Sequence, residues 1–385
     1  MINSRLLQKT LEAASEVFEE LRKKHRIDSQ DLTLFNAGLR DGEARFGLFA
    51  RDLFLSAFML GDSGFLRDVV KFACLTQGEK FDPRTGEEPG KVIHEYEHVT
   101  LRGRETRYNA SDTTQFTLIG LGKLLDNGNR WFVTECSDSI RGALSYLFNH
   151  IEEGIFWEDP SHCGADRYAL RSTYWKDDRL PGREHPHYPV AYSLVQAQTV
   201  AALREGAKLA GVIKCGYSQD ELLDTADKLV GSFLSTLWTK ENDFPAIAKD
   251  VQGLIPGISS DGIHALAYLE PEDLPKRKLE SIMENARSLL TPYGFRTYGP
   301  NQPDYSPHSY HLGSVWPFEQ YFIARAGRKF DRNWLIDAAG KSLKALNKYG
   351  FYELFGWEEG KLRPLGCDRQ LWSACLPVGL KRITG

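Results

Sequence analysis

Apolar residues recur with helical spacing along nearly the whole chain, and the breaks between the helical stretches alternate between short and long. In residues 63–78, Leu66, Val69, Val70, Ala73 and Cys74 trace one helix face, with Ser63 placed to cap its start and Gly78 its end. Comparable patterns run over 4–24, 47–61, 112–126, 131–149, 188–211, 219–238, 260–270, 275–290, 312–327, 331–348 and 369–382. The spacing therefore predicts about twelve helices of roughly 12–20 residues. Connections at 79–110, 151–186, 239–259, 291–311 and 349–368 are long, whereas those at 61–63 and 126–130 are tight. Such a chain can bury its apolar stripes by closing helix hairpins into a ring, an inner layer within an outer one, with the long connections gathered on one face. No linker interrupts the pattern, so one domain over 1–385 is expected. Regular sequence repeats are not evident, which argues against a solenoid. Strand signals are confined to the connections; residues 91–108 alternate as a hairpin turning near Gly103.

Composition narrows the partners. A net charge of −4, a pI near 6.2 and the absence of a Lys/Arg cluster interleaved with aromatics leave no footprint for nucleic acid. The amphipathic start, MINSRLLQKTLEAASEVFEELRKK, lacks the apolar core of a signal peptide, and no run approaches a membrane span. Cys74, Cys136, Cys163, Cys215, Cys367 and Cys375 form no CxxC pair, so reduced thiols in a cytoplasmic protein are expected rather than a disulfide frame or zinc ribbon. Nothing in the sequence fixes an oligomeric state. Many aromatics fall in irregular segments, among them Phe156, Trp157, Tyr174, Trp175, Tyr305, Tyr310 and Trp357. A surface that stacks flat ligands with one apolar side, such as sugars, accounts for that placement.

Two patterns could carry chemistry. His94, Glu95 and His98 spell H-E-x-x-H, which binds zinc when a helix brings both histidines to one face. Here Pro89 and Gly90 precede it and the alternation reads as a strand, which would hold the two imidazoles about 13 Å apart. No metal and no cofactor is expected, and His94 reads as a structural polar group. The other pattern is a pair of acids on distant loops, Asp177 or Asp178 in one and Glu353 in another, as cleavage of a glycosidic bond requires.

The stretches FARDLFLSAFML (49–60), EEPGKVIHEY (87–96), YNASDTTQFTLIGL (108–121), STYWKDD (172–178), YPVAYSLVQAQTVAAL (188–203), YSPHSYHLGSVWP (305–317), YELFG (352–356) and CDRQLWSA (367–374) resemble the glucosidase domain of glycogen-debranching enzymes. More broadly they are similar to glucoamylase-like glycoside hydrolases. That resemblance implies an all-α (α/α)6 barrel, with long loops and short β-hairpins on one face, acting by inversion on a terminal glucose of short α-glucosides or oligosaccharides. By motif, Asp177 would be the general acid and Glu353 the general base; Asp178 stands where the family more often has serine. Glu358 and Glu359 read as solvated loop acids. Arg51, Asp52, Glu95, Asp112, Trp175, Lys176, His311, Trp316, Gln370 and Trp372 belong to matching motifs and would contact the sugar.

For Arg51 with Asp52, an internal ion pair at a helix start is an equal reading, and for Trp316 a core role is. The acid would need a desolvated loop walled by Tyr174 and Trp175, and Lys176 should point to substrate or to another carboxylate. A hydrolase of glucosyl- or mannosyl-glycerate is the nearest alternative. It would be marked by cations beside the pocket, such as Lys176, Arg179 or Arg183. A sugar epimerase and a non-catalytic carbohydrate-binding protein are the rivals from other classes.

Overall fold

The computed structural model describes residues 2–41 and 43–385. The chain runs through α1 (Ser4–Leu21), α2 (Ala50–Leu60), α3 (Ser63–Leu75), α4 (Thr113–Asp126), α5 (Arg130–Glu135), α6 (Ser137–Asn149) and α7 (Ser193–Ala210). It continues with α8 (Gln219–Ser235), α9 (Asp261–His264), α10 (Lys276–Ala286), α11 (Pro317–Lys329), α12 (Asn333–Ala339), α13 (Leu343–Tyr349) and α14 (Leu371–Thr384). Helix α2 packs on α4, α4 on α7, α7 on α9, α9 on α11, α11 on α14, and α14 back on α2. That closed inner ring is sheathed by α1, α3, α6, α8, α10 and α12, giving the (α/α)6 barrel.

Burial follows the sequence pattern. In α1 the buried residues are Thr10, Ala14, Val17 and Leu21, a single stripe at helical spacing with charge on the opposite side. Every residue of α2 except Leu60 is buried, as an element sheathed on all sides requires. Asp62, one residue before the expected Ser63, caps α3 by accepting the Phe65 N–H at 2.8 Å, and the helix ends at Leu75, short of Gly78. The helix expected over 131–149 breaks at Cys136, and the one over 331–348 divides into α12 and α13. Residues 260–270 hold only one α-turn followed by a 3-10 turn over Ala265–Ala267.

The extended segments lie in the connections. The helix expected to reach 24 stops at Leu21, where β1 (Arg22–Ile27) turns into β2 (Gln30–Phe35) and is followed by β3 (Gly38–Arg40) and β4 (Glu43–Phe46). This makes 22–49 a sixth long connection. Arg369 and Gln370 pair with Leu39 and Gly38, so the last connection is stitched to the first. The hairpin expected over 91–108 is shorter, β5 (Thr100–Leu101) with β6 (Arg104–Glu105); residues 91–99 run without ladder pairing except near Glu95. Gly103, with φ of +80°, supplies its turn. Each inner helix is entered from a long connection, so all the inner helix N-termini open on the face where those connections gather.

Candidate active site

At that face lies a cavity of about 120 Å³ lined by Ala37, Phe49, Arg51, Asp52, His94, Asp177, Tyr310, Glu353, Gln370 and Trp372. A larger cleft of about 500 Å³ lies between the chain ends and α12 on the outer surface, with Asp337 as its one lining acid. Arg51 and Asp52 come from the first turn of α2, and Trp372 from that of α14. The remaining side chains come from connections far apart in the chain, which only ring closure brings together.

Arg51 organises the floor. Its Nε donates to both Asp112 carboxylate oxygens, at 2.9 and 3.1 Å, and Nη2 donates to the Thr173 carbonyl at 2.8 Å. Nη1 turns inward, 3.7 Å from Asp177 Oδ2 and 3.3 Å from His94 Nε2. A guanidinium can only donate, so His94 Nε2 carries its lone pair there and Nδ1 holds the ring proton. Asp52 accepts from Gln370 Nε2 at 3.0 Å. Gln370 can come this close because Gly38 faces it: a Cβ at residue 38 would lie 2.3 Å from Gln370 Oε1. Gln370 Oε1, Trp372 Nε1 and His94 Nδ1 are buried with no protein hydrogen-bond partner. His94 Nδ1 lies 3.7 Å from Glu95 Oε1 and Gln370 Oε1 lies against Gly38, so both atoms are turned into the wall.

Three carboxyl groups share the cavity with one guanidinium, and their environments differ. Glu353 is almost fully buried. Its oxygens accept from the Tyr310 hydroxyl and from the Cys367 N–H at 3.1 Å. Burial pushes its pKa above the ordinary carboxylate value against these hydrogen bonds, and the Asp177 charge adds to the rise. Burial likewise pushes Asp52 well above its usual range, Arg51 opposing and Glu353 and Asp177 reinforcing. Asp177 goes the other way. Its side chain is 30% exposed, and although burial acts to raise it, the His311 hydrogen bond and the Arg51 charge hold it below the ordinary value. The expectation of a desolvated, proton-retaining Asp177 is therefore not met in the free protein. His311 Nε2 stands 3.4 Å from Asp177 Oδ1, and burial pulls the His311 pKa down against the opposing pull of Asp177.

Several expected contact residues stand behind the wall rather than in it. Asp112 is wholly buried beneath Arg51. Glu95 accepts from the Thr106 hydroxyl and faces away from the cavity. Trp175 is buried with Nε1 on Asp261 at 2.9 Å, and Trp316 is buried with Nε1 on the Tyr310 carbonyl at 2.8 Å. Trp316 stacks on His311 with ring centres 4.9 Å apart, so both rings buttress Asp177 from behind. Lys176 reaches a carboxylate, Asp261, at 3.0 Å, and is sealed from the cavity. Asp178 pairs with Arg171 at 3.2 Å and does not line the cavity, which leaves Asp177 as the acid of that loop facing it. Glu358 pairs with His308 and is exposed.

Four lining residues, Ala37, Phe49, His94 and Tyr310, were not among the expected contacts. His94, read as structural, lines the cavity because its backbone carbonyl accepts from Ala50 at the start of α2 and so carries the ring to Arg51. Tyr310 is 39% exposed and reaches Glu353 from the rim. Its position just before His311 in YHLGSVWP was the available signal. His94 and His98 do not converge, since His98 sits between Glu105 and Arg107. Among the described residues one group has metal-ligand character, Glu88 with His150 and His162. Glu88 there pairs with His150 at 2.8 Å and stands 3.8 Å from Lys91, while its Oε1 has no hydrogen-bond partner.

Two acids from separate loops, facing one small polar and aromatic cavity at the open end of an (α/α)6 barrel, define a class: the glycoside hydrolases built on this ring. Residues 21–373 match the model of the mannosylglycerate hydrolase MGH1-like glycoside hydrolase domain, and the chain belongs to that family and is a glycoside hydrolase. A search of curated proteins returns no match. Among solved structures, the GH63 mannosylglycerate hydrolase from Thermus thermophilus in complex with Tris superposes with a TM-score of 0.69 at 15% identity, over 97% of this chain and 100% of that one. The same enzyme with Tris and D-glycerate gives 0.68 at 16% identity over the same shares. A rhamnosidase from Klebsiella oxytoca with rhamnose bound gives 0.64 at 14% identity, over 99% of this chain and 64% of that chain. The family is of the broad glucoamylase-like type that the sequence motifs resemble, and the match does not extend to glycogen debranching. No helix among the described residues is long and apolar enough to cross a membrane.

Proposed function

We propose that the protein is an inverting hydrolase of a small α-glycoside whose aglycone is a hydroxy acid of the glycerate type, acting as a single barrel domain. The observation that carries this reading is the meeting of Asp177 and Glu353 in a cavity small enough for one sugar unit. The family match and the barrel shared with a mannosylglycerate hydrolase favour this aglycone over a glucan branch. In this reading Asp177 gives its proton to the glycosidic oxygen. Glu353 takes one from a water that attacks the anomeric carbon from the opposite face, so an α-glycoside releases the β-anomer. Asp52, Gln370 and Trp372 would hold the sugar hydroxyls, and a bound sugar covering the exposed edge of Asp177 would raise its pKa.

The cations expected to meet an aglycone carboxylate are engaged elsewhere: Lys176 with Asp261, Arg179 with Asp304 at 3.7 Å, and Arg183 with Asp250 at 3.1 Å. Arg40 takes that place in our reading. It is exposed at the end of β3, and its charge is felt by Glu353.

A second reading exchanges the two acids, and the pKa directions in the free protein favour it, since Glu353 is raised and Asp177 lowered. One experiment separates them. Mannosyl- and glucosyl-glycerate are compared with the corresponding α-glycosyl fluorides, whose leaving group needs little protonation, using Asp177→Asn and Glu353→Gln. The variant lacking the acid keeps most of its fluoride turnover and loses about 10²–10⁴-fold on the glycerate glycosides; the variant lacking the base loses both. Proton NMR of the first-formed anomer tests inversion, and early α-anomer would end the proposal.

A further inference from the structure

Asp177 follows directly on a tightly held tetrapeptide, residues 173–176. The Thr173 carbonyl accepts from Arg51 Nη2 at 2.8 Å and from the Ser111 N–H at 2.9 Å. The next three side chains all end on one carboxylate from the other side of the ring. Tyr174 donates its hydroxyl to Asp261 Oδ2 at 3.1 Å, Trp175 donates Nε1 to Asp261 Oδ1 at 2.9 Å, and Lys176 Nζ lies 3.0 Å from Asp261 Oδ2. The Ser259 hydroxyl donates to the same Oδ2 at 3.0 Å. Asp261 sits at the start of α9 and is almost completely buried. Side chains 174, 175 and 176 cannot all point one way from an extended strand, so converging on a single group requires a curled backbone. That curl fixes the direction in which the chain leaves Lys176, and hence where the Asp177 carboxylate begins.

We infer that Asp261 is the positioning residue for the acid at 177: by gathering Tyr174, Trp175 and Lys176 on one carboxylate it aims Asp177 across the cavity at Glu353. The pairing also fixes the Lys176 ammonium behind the wall, where Ser259 Oγ at 2.7 Å, Ser260 Oγ at 3.2 Å and the Thr297 carbonyl at 3.1 Å complete its shell. A general acid acts on one lone pair of one oxygen, and displacing it by about 1 Å costs on the order of 10²-fold in rate. Asp261 does not line the cavity, so its influence on Asp177 passes through residues 174–176. The inference rests on the role proposed for Asp177.

The test is Asp261→Asn in the full chain, an isosteric change that keeps the volume and withdraws the charge. With fold checked by near-UV circular dichroism, turnover is compared on mannosyl- and glucosyl-glycerate and on the two α-glycosyl fluorides. The expected result is a fall of about 10–100-fold in kcat on the glycerate glycosides, with KM changed less than about threefold and fluoride turnover largely spared. Equal losses on both substrate types, or no loss, overturn the inference. If Asp261→Asn does not fold, Tyr174→Phe removes one of the three bonds and should show the same selective loss at smaller size; an unselective loss there overturns it equally. Asp177→Asn is measured alongside. Should it lack the leaving-group signature, the role of Asp177 fails; should it show the signature while Asp261→Asn does not, only the positioning inference fails.

Discussion

The Arg51 guanidinium clamps Asp112 at 2.9 Å through Nε while its Nη1 stands 3.7 Å from Asp177, so one cation both completes the floor of the ring and sets the charge of the cavity. Removing it exposes both duties. Arg51→Met leaves Asp112 wholly buried without a counter-ion, and breaking a buried pair from one side costs about 3–5 kcal/mol. Urea unfolding should show a loss of that size, with activity falling as well. Arg51→Lys cannot span Asp112 and the Thr173 carbonyl together and should recover only part of either. Unchanged stability in Arg51→Met would mean that the pair contributes nothing.

Asp52 should make the protein less stable at neutral pH than it would be with a neutral residue there. Its folded-state pKa lies well above the unfolded value of about 3.9, so the folded state holds the proton longer than the unfolded one. Its contribution is complete below the unfolded pKa and is lost as pH rises through the folded pKa. Asp52→Asn, which can still accept from Gln370, is expected to raise the melting temperature at pH 7 and to leave it nearly unchanged at pH below about 3.9, where the aspartate is protonated in both states. A scan of melting temperature against pH for both proteins reads this directly; a variant less stable at pH 7 would contradict it.

Asp177 works in the opposite direction. A carboxylate held below its ordinary value stabilises the fold above the unfolded pKa, and that support disappears as pH falls through the folded pKa. Asp177→Asn should therefore cost stability at neutral pH while narrowing its deficit under acid, which the same melting scan reads.

The Tyr310 hydroxyl supports the ionised form of Glu353. In Tyr310→Phe the Glu353 pKa should rise further. If Glu353 is the base, the acid limb of kcat/KM moves to higher pH and kcat falls about tenfold at neutral pH, a loss consistent with one hydrogen bond to a charged group. A profile that keeps its limb in place would remove Tyr310 from the proton chemistry.

Arg40→Gln is expected to raise KM for glycosyl-glycerates by about 10–100-fold, the worth of one charge-assisted hydrogen bond, and to leave KM for an uncharged methyl glycoside almost unaltered. Equal effects on both would assign the aglycone carboxylate to another residue.

Much of this architecture was legible in the order of residues. Helical spacing located the barrel helices because a stripe such as Thr10, Ala14, Val17 and Leu21 can be buried in only one way, and alternating connection lengths indicated a ring. Motif resemblance singled out Asp177 and Glu353. The segment 22–49 escaped because β1, Arg-Lys-Lys-His-Arg-Ile, is charged and continues the look of α1; its pairing with β2 and the stitch from Gly38 to Gln370 are long-range facts. Which groups face the sugar was likewise hidden. Lys176, Trp175 and Trp316 have the chemistry of ligand contacts, but each finds a buried partner, on Asp261 or on the Tyr310 carbonyl, that a linear reading cannot supply. Periodicity is local, set by the 3.6-residue turn, and the sequence carries it wherever the chain is cut. Charge and orientation at the cavity depend on neighbours such as Asp52 and Gln370, 318 positions apart, and exist only once the ring has closed and removed the water between them.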